Sequence, residues 1–384
     1  MRRYMLISAD THAGVPTERF RPYLDPEYRE PFDEYVDQLD EIRKRTLTES
    51  LGEQLFDDKF SHEFRDEAAD RVAGAWDPER RNRELEGDGV VGEIIFPDGQ
   101  NENGPPFGAT GRLGDSDPRL RLAGARAYNR WLAELCAHSP ERRAGVAITP
   151  IDDIEAAVSE IQWAKSNGLR GGILIPSMWG DLPAYNDPRY EPIWATCEEL
   201  GMTVHTHGGA APSYGGLPGS VAIYTTEVTW WSHRPFWFAL WSGVFERHPE
   251  LKFVLTEQSA CWVPDTLYHM DVLYDGPMFA QIRKDLSLKP SEYWARQCWV
   301  GASFMRAHET AMRHQIGIDK IMWGNDYPHM EGTWPHTAEK MRAAFGGIPA
   351  DEVRPMVGEN AARVYGFEEA RLAPIVERVG PEKI

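Results

Sequence analysis

Eight short apolar segments recur along the chain with longer amphipathic stretches between them, and this order constrains the fold more than any other feature. The segments are YMLISAD (4–10), VVGEIIFP (90–97), AGVAITP (144–150), GGILIPS (171–177), MTVHTHG (202–208), LKFVLTE (251–257), CWVGASF (298–304) and KIMWGND (320–326). Intervening stretches such as DDIEAAVSEIQWAKSNG, with an acidic start and a glycine stop, carry the marks of helices. Strands alternating with helices favour a parallel sheet with crossover connections. Eight such units predict an α/β chain closed as a (β/α)8 TIM barrel, in which side chains for chemistry gather at the C-terminal ends of the strands.

Two regions interrupt the rhythm. Residues 15–75 are charged and aromatic, and FDEYVDQLDEIRKRTLTESLGEQLFDDKF looks helical, so a helical insertion after strand 1 is expected to cover the barrel mouth. The tail from DEVRPMVGENAARVYGF onward reads as a final helix and an extension packed on the barrel. With no internal repeat and no low-complexity segment, residues 1–384 are read as a single barrel domain.

Charge and composition exclude several classes. A formal net charge of −19 argues against nucleic acid, because an acidic field repels phosphate backbones. Cys136, Cys197, Cys261 and Cys298 are scattered without C-x-x-C spacing, so reduced, packed thiols of a cytoplasmic protein are expected. The apolar run after MRR is too short for a signal peptide, and no stretch reaches the roughly 18 apolar residues of a spanning helix. No membrane association is expected.

Residues i and i+2 of a strand share a face, so Asp10 and His12 project together from the end of the first segment. Potential ligands also stand at His207, Glu257 and Asp326, each at a strand end. Singly, an aspartate there is usually a turn former and a histidine a satisfied core residue. Converging, carboxylates repel and lose hydration, and a multivalent cation compensates them.

ISADTH, GMTVHTHGG, GVFERHPELKFVLTE, MWGNDYPH and GENAARVYGF together resemble the ACMSD-like branch of the amidohydrolase superfamily, family 2. Members of that family usually carry H-x-H on strand one, histidines on strands five and six, and an aspartate on strand eight. By position the resemblance implies Asp10, His12, His207, Glu257 and Asp326 as metal ligands, with inward-facing His205 set aside. H-x-H has become D-x-H, the strand-six histidine has become Glu257, and strand four ends LIPS without the lysine a carbamate bridge needs. His233 in WWSHRPFW and His329 in DYPH are further candidate ligands. Zinc in catalytic sites commonly has three mainly nitrogen or sulfur ligands, whereas mixed imidazole and carboxylate sets suit iron or manganese.

This ligand pattern is similar to that of the TIM-barrel non-haem di-iron monooxygenases of platensimycin-type diterpenoid biosynthesis. The resemblance implies an oxidoreductase of secondary metabolism with two Fe ions, dioxygen and an electron donor. It would hydroxylate an unactivated carbon of a bulky, hydrophobic, terpenoid-like substrate carried as a CoA thioester. Asp10, His12, His207 and Asp326 would hold one iron, and Glu257 with His233 or His329 a second, so Glu257, His233 and Asp326 are the expected catalytic residues. The alternatives are a hydrolase or a decarboxylase with a single Zn or Mn, and a non-enzymatic binding protein. A homodimer is expected by analogy with the family. VTWWSHRPFWFALW, residues 228–241, reads either as a core helix or as an apolar wall beside the metals, and FPDGQNENGPPFG as a loop at the mouth.

Overall fold

Eight parallel strands follow one another around the sheet in sequence order. The computed structural model describes residues 3–39, 41, 72–98, 103–110, 117–215 and 217–384. The strands are β1 (Leu6–Ala13), β2 (Val90–Pro97), β3 (Arg143–Ile148), β4 (Gly172–Leu174), β5 (Val204–His207), β6 (Phe253–Thr256), β7 (Cys298–Ser303) and β8 (Ile321–Gly324). The segment after β8 returns to β1: Asp326 N donates to Asp10 O at 2.9 Å and His12 N donates to Tyr327 O at 2.7 Å. These bonds bring the sheet to a nearly closed barrel, as the strand and helix order requires. β6 and β8 stop short of Glu257 and Asp326, which leave the extended conformation, each with φ of +55°.

Alternation along the strands creates two apolar layers. Val204, Phe253, Leu255 and Val300 face helices that supply Ile161, Trp194 and Phe236. Ile7, Ala9, Val146, Val254 and Met322 belong to a second cluster that fills the barrel, and Tyr365, Phe367 and Leu372 from the C-terminal tail join it. The tail therefore plugs the end opposite the candidate ligands, as its apolar residues foretell. Each fully buried aliphatic or phenylalanine side chain contributes about 1.5–3 kcal/mol, so the two layers dominate the stability.

Of the expected insertion, the described residues form turns at Thr17–Tyr23, Pro26–Tyr28 and Val72–Ala75 and a helix at Arg29–Asp37. Residues 42–71 of it, and residues 99–102 of the expected mouth loop, lie outside the described residues. The tryptophan-rich segment belongs to the long helix Ser220–Trp241 that follows β5. Its Phe236, Ala239 and Leu240 are core residues, whereas Trp230 is 45% exposed, so only the C-terminal part is a core helix. All four cysteines are free thiols. Among the described residues no helix is long and apolar enough to cross a membrane.

Candidate metal centre

Asp10 and His12 end β1 side by side, both buried. A register shift in β1 between Ser8 and Thr11 adjusts their position against β2. Gly324 of β8 lets Asp10 sit close, since a Cβ there would meet the Asp10 Cβ at 2.8 Å. Ser303 Oγ, at the end of β7, donates to Asp10 Oδ2, leaving Oδ1 to face the mouth. His12 Nδ1 lies 2.9 Å from the Pro97 carbonyl, to which it donates, so the lone pair is on Nε2. That nitrogen stands 3.5 Å from Asp10 Oδ1 and 3.2 Å from Asp326 Oδ1.

His207 arrives from β5 on the inward face. Its Nδ1 is 2.9 Å from the Gly208 carbonyl, and its Nε2 is 3.2 Å from Asp10 Oδ1. Burial lowers its pKa, but the charge and hydrogen bond of Asp10 outweigh this and hold it above the ordinary value. His205 shares the same face one step deeper and is fully buried, with Nε2 2.9 Å from the Gly171 carbonyl. Desolvation pushes it down to about 3, so it is a neutral core imidazole.

Glu257 and Asp326 reach the site by a different route. Both sit just past their strands in left-handed backbone, and the turn brings the Glu257 carboxylate to 3.2 Å from His207 Nδ1. Burial, reinforced by the charge of Asp326, raises Glu257 well above the usual carboxylate range. Burial also raises Asp326, but His329 and His12 more than reverse it and hold it well below. His329 Nδ1 is 3.0 Å from Asp326 Oδ1, and its Nε2 is 3.6 Å from Asp98 Oδ1. Its ring stacks on His12 with centroids 3.9 Å apart. Burial lowers the His329 pKa, yet the two carboxylates carry it well above the ordinary value.

Ligand atoms of Asp10, His12, His207 and Glu257 lie within 4.8 Å of one another, as do those of His12, Asp326 and His329, and those of Glu257, Asp326, His329 and Glu331. Because these groups share members, they surround one region, and it is a possible metal site. The fit is supported by leftover bonding capacity: His12 Nε2, both Asp326 carboxylate oxygens and both His329 nitrogens are buried without a hydrogen-bond partner of adequate geometry. Oxygen and imidazole donors facing one another in this way suit a divalent cation.

The structure does not bring His233 into this cluster. Its ring stacks on Trp262 at 3.9 Å, and Nε2 points to the Gln258 carbonyl at 3.4 Å. Desolvation pushes it down to about 4, so it is a neutral packing residue beside the β6 loop. Ser303 and Asp98 were missed in the sequence. Ser303 stands at a strand end like the ligands, and Asp98 follows β2 directly, so the strand-end rule would have found both.

The profile of the family described as amidohydrolase matches residues 10–367. The chain belongs to this amidohydrolase family. It is 27% identical over 227 residues to the gamma-resorcylate decarboxylase of Rhodococcus jostii (strain RHA1), a match that covers 53% of this chain and 66% of that enzyme. The gamma-resorcylate decarboxylase of Rhizobium sp. (strain MTP-10005) is 31% identical over 240 residues, covering 55% of this chain and 68% of the relative. The chain thus spans about two thirds of the length of these relatives. Among solved structures, the dihydroxybenzoic acid decarboxylase of Polaromonas sp. JS666, with bound manganese and the inhibitor 2-nitroresorcinol, superposes with a TM-score of 0.67. It is 19% identical, and the match covers 96% of this chain and 99% of that one.

These relatives overturn the expectation of a di-iron monooxygenase and of an oxidoreductase, because they are named for removing a carboxyl group. Two irons likewise lack support, since the candidate ligands enclose one shared region and the solved neighbour carries manganese. The misreading has a clear origin. Glu257 with His233 or His329 was expected to hold a second ion, whereas the fold gathers Glu257 and His329 with the other candidate ligands around one region and places His233 against Trp262.

Proposed function

We propose that the chain is a metal-dependent, non-oxidative decarboxylase of a hydroxylated aromatic acid, with a single divalent ion, manganese, as its cofactor. One observation carries this reading: Asp10, His12, His207 and Asp326 converge from three strand ends, with the half-buried Glu257 carboxylate beside them. The decarboxylase relatives point to the same chemistry.

When bound, the divalent ion supplies a Lewis-acidic centre that holds substrate oxygens and steadies negative charge as carbon dioxide departs. Asp10, His12, His207 and Asp326 would hold it, and Ser303 and the Pro97 carbonyl orient Asp10 and His12. Glu257, whose protonated form is favoured by desolvation and by the nearby Asp326 charge, faces the same space as the proton donor. The bond from ring carbon to carboxyl carbon breaks, its electron pair stays on the ring carbon, and that carbon takes the proton from Glu257. Solvent restores the proton to Glu257, and neither dioxygen nor a reductant enters.

The test is turnover of 2,6-dihydroxybenzoate by the manganese-loaded chain, with carbon dioxide and the diphenol measured in air and under argon. Equal rates in both are expected. Glu257→Gln should keep its manganese and lose about 10²–10⁴-fold in kcat. A strict need for dioxygen, or full activity in Glu257→Gln, sinks the proposal.

A further inference from the structure

Glu257 owes its place at the centre to a kink. Thr256, the last residue of β6, turns inward, with Oγ1 3.5 Å from His205 Nδ1. In an extended strand the next side chain would face the opposite side, toward the helices. Instead Glu257 takes φ of +55° and Ser259 φ of +57°, and the carboxylate swings back to His207. Left-handed backbone at two non-glycine residues this close together persists only where surrounding contacts enforce it.

Glu309 supplies such contacts from the short helix Ala307–Ala311 after β7, where it is 5% exposed. Its Oε1 accepts from Ser259 Oγ at 2.7 Å and from Ala260 N at 2.8 Å. Its Oε2 accepts from Arg306 N at 3.0 Å, which anchors the carboxylate to its own helix. One buried side chain therefore ties the kinked loop after β6 to the next strand–helix unit. Gln258 adds a lateral tie to β5, donating to Thr206 Oγ1 at 2.9 Å, but it does not reach the turn at Ser259 and Ala260. Among the described residues Glu309 belongs to none of the groups that could hold the metal.

We infer that Glu309 is a positioning residue for Glu257: it holds the left-handed turn that aims the Glu257 carboxylate into the metal centre. The consequence for turnover rests on the proposed decarboxylase reading, whereas the placement itself does not. Without Glu309 the loop relaxes toward extended backbone and Glu257 leaves His207, while Asp10, His12, His207 and Asp326 stay where their own strands and partners hold them.

The experiment compares crystal structures, manganese content and 2,6-dihydroxybenzoate turnover for Glu309→Ala and Glu309→Gln in the full-length, manganese-loaded chain. In Glu309→Ala the contact between Glu257 and His207 should be lost and manganese retained. Turnover should fall about 10²-fold in kcat, with KM within about twofold. Glu309→Gln keeps an oxygen for Ser259 and Ala260 while giving up the bond from Arg306 N, and should retain the contact and most of the rate. Adding Glu309→Ala to Glu257→Gln should cost nothing further, which a general structural defect would not reproduce. Should Glu309→Ala fail to fold, Ser259→Ala removes one of the two bonds and should displace Glu257 partially. Glu257 remaining against His207 in whichever of these two variants folds overturns the inference, as does a double variant slower than Glu257→Gln alone. If Glu257 moves as stated but the wild-type chain leaves 2,6-dihydroxybenzoate untouched, the positioning role stands and the proposed reaction falls.

Discussion

Two buried polar clusters lie side by side along β1 and β2, and the protein resolves them in opposite ways. In the first, Glu93 on β2 accepts from Arg81 Nη2 at 2.7 Å, Arg143 Nε at 3.3 Å and Thr11 Oγ1 at 3.0 Å. The guanidinium groups spend their other donors on the carbonyls of His12 at 2.8 Å and Leu135 at 2.7 Å and on Asn82 Oδ1 at 2.9 Å. In the second, four carboxylates and three histidines converge, and His12 Nε2, both Asp326 oxygens and both His329 nitrogens lack a hydrogen bond of adequate geometry. Both clusters are charged and buried, so composition and burial do not separate scaffold from site. Unspent bonding capacity does, because a folded chain leaves buried acceptors without donors only where something else supplies the charge.

The largest expected effect tests the scaffold side. Glu93→Ala strands two buried guanidinium groups and should cost about 3–5 kcal/mol in urea unfolding. A cost near zero would erase the contrast. Next, manganese at about 100 times its dissociation constant should stabilise the wild-type chain by about 2.7 kcal/mol, read as a rise in melting temperature. An unchanged melting temperature on adding manganese would remove the site from the comparison. Asp10→Asn should abolish the manganese-dependent gain in melting temperature.

The smallest effect is in the pH profile of the metal-free chain. Glu93 is held below the ordinary 4.5, since its burial is outweighed by Arg81 and Arg143. Its stabilisation is present above 4.5 and is lost as pH falls through its folded pKa. Glu257 is raised from the same 4.5 by burial and Asp326, so its contribution is complete below that value and is lost as pH rises through its folded pKa. Glu257→Gln should therefore flatten the decline in melting temperature as pH rises above 4.5 and leave the limb below it unchanged. A steeper decline above 4.5 in the variant would contradict the site's electrostatics.

Along β1 and β5 the site was legible because a local rule governs it. Asp10, His12 and His207 obey strand alternation or its small correction by a bulge, and residue spacing alone places them together. Glu257 and Asp326 were recognised as strand-end residues, but their aim comes from positive φ, which neither residue type signals. His233 carried the same chemical promise as His207 and was drawn elsewhere by stacking on Trp262. The relation of Glu309 to Ser259 spans two strand–helix units, and no local pattern announces it.

By itself the order of amino acids determined the number and sequence of strands, the parallel barrel, the end of it that bears chemistry, and most of the imidazoles and carboxylates gathered there. These follow from hydrophobic periodicity and strand alternation, which act over a few residues. Only the tertiary structure decided which groups share one region, which carboxylate is turned back by a left-handed kink, and which buried charges are already answered. Those outcomes depend on contacts between segments far apart in the chain, where packing and counter-charge outweigh local preference.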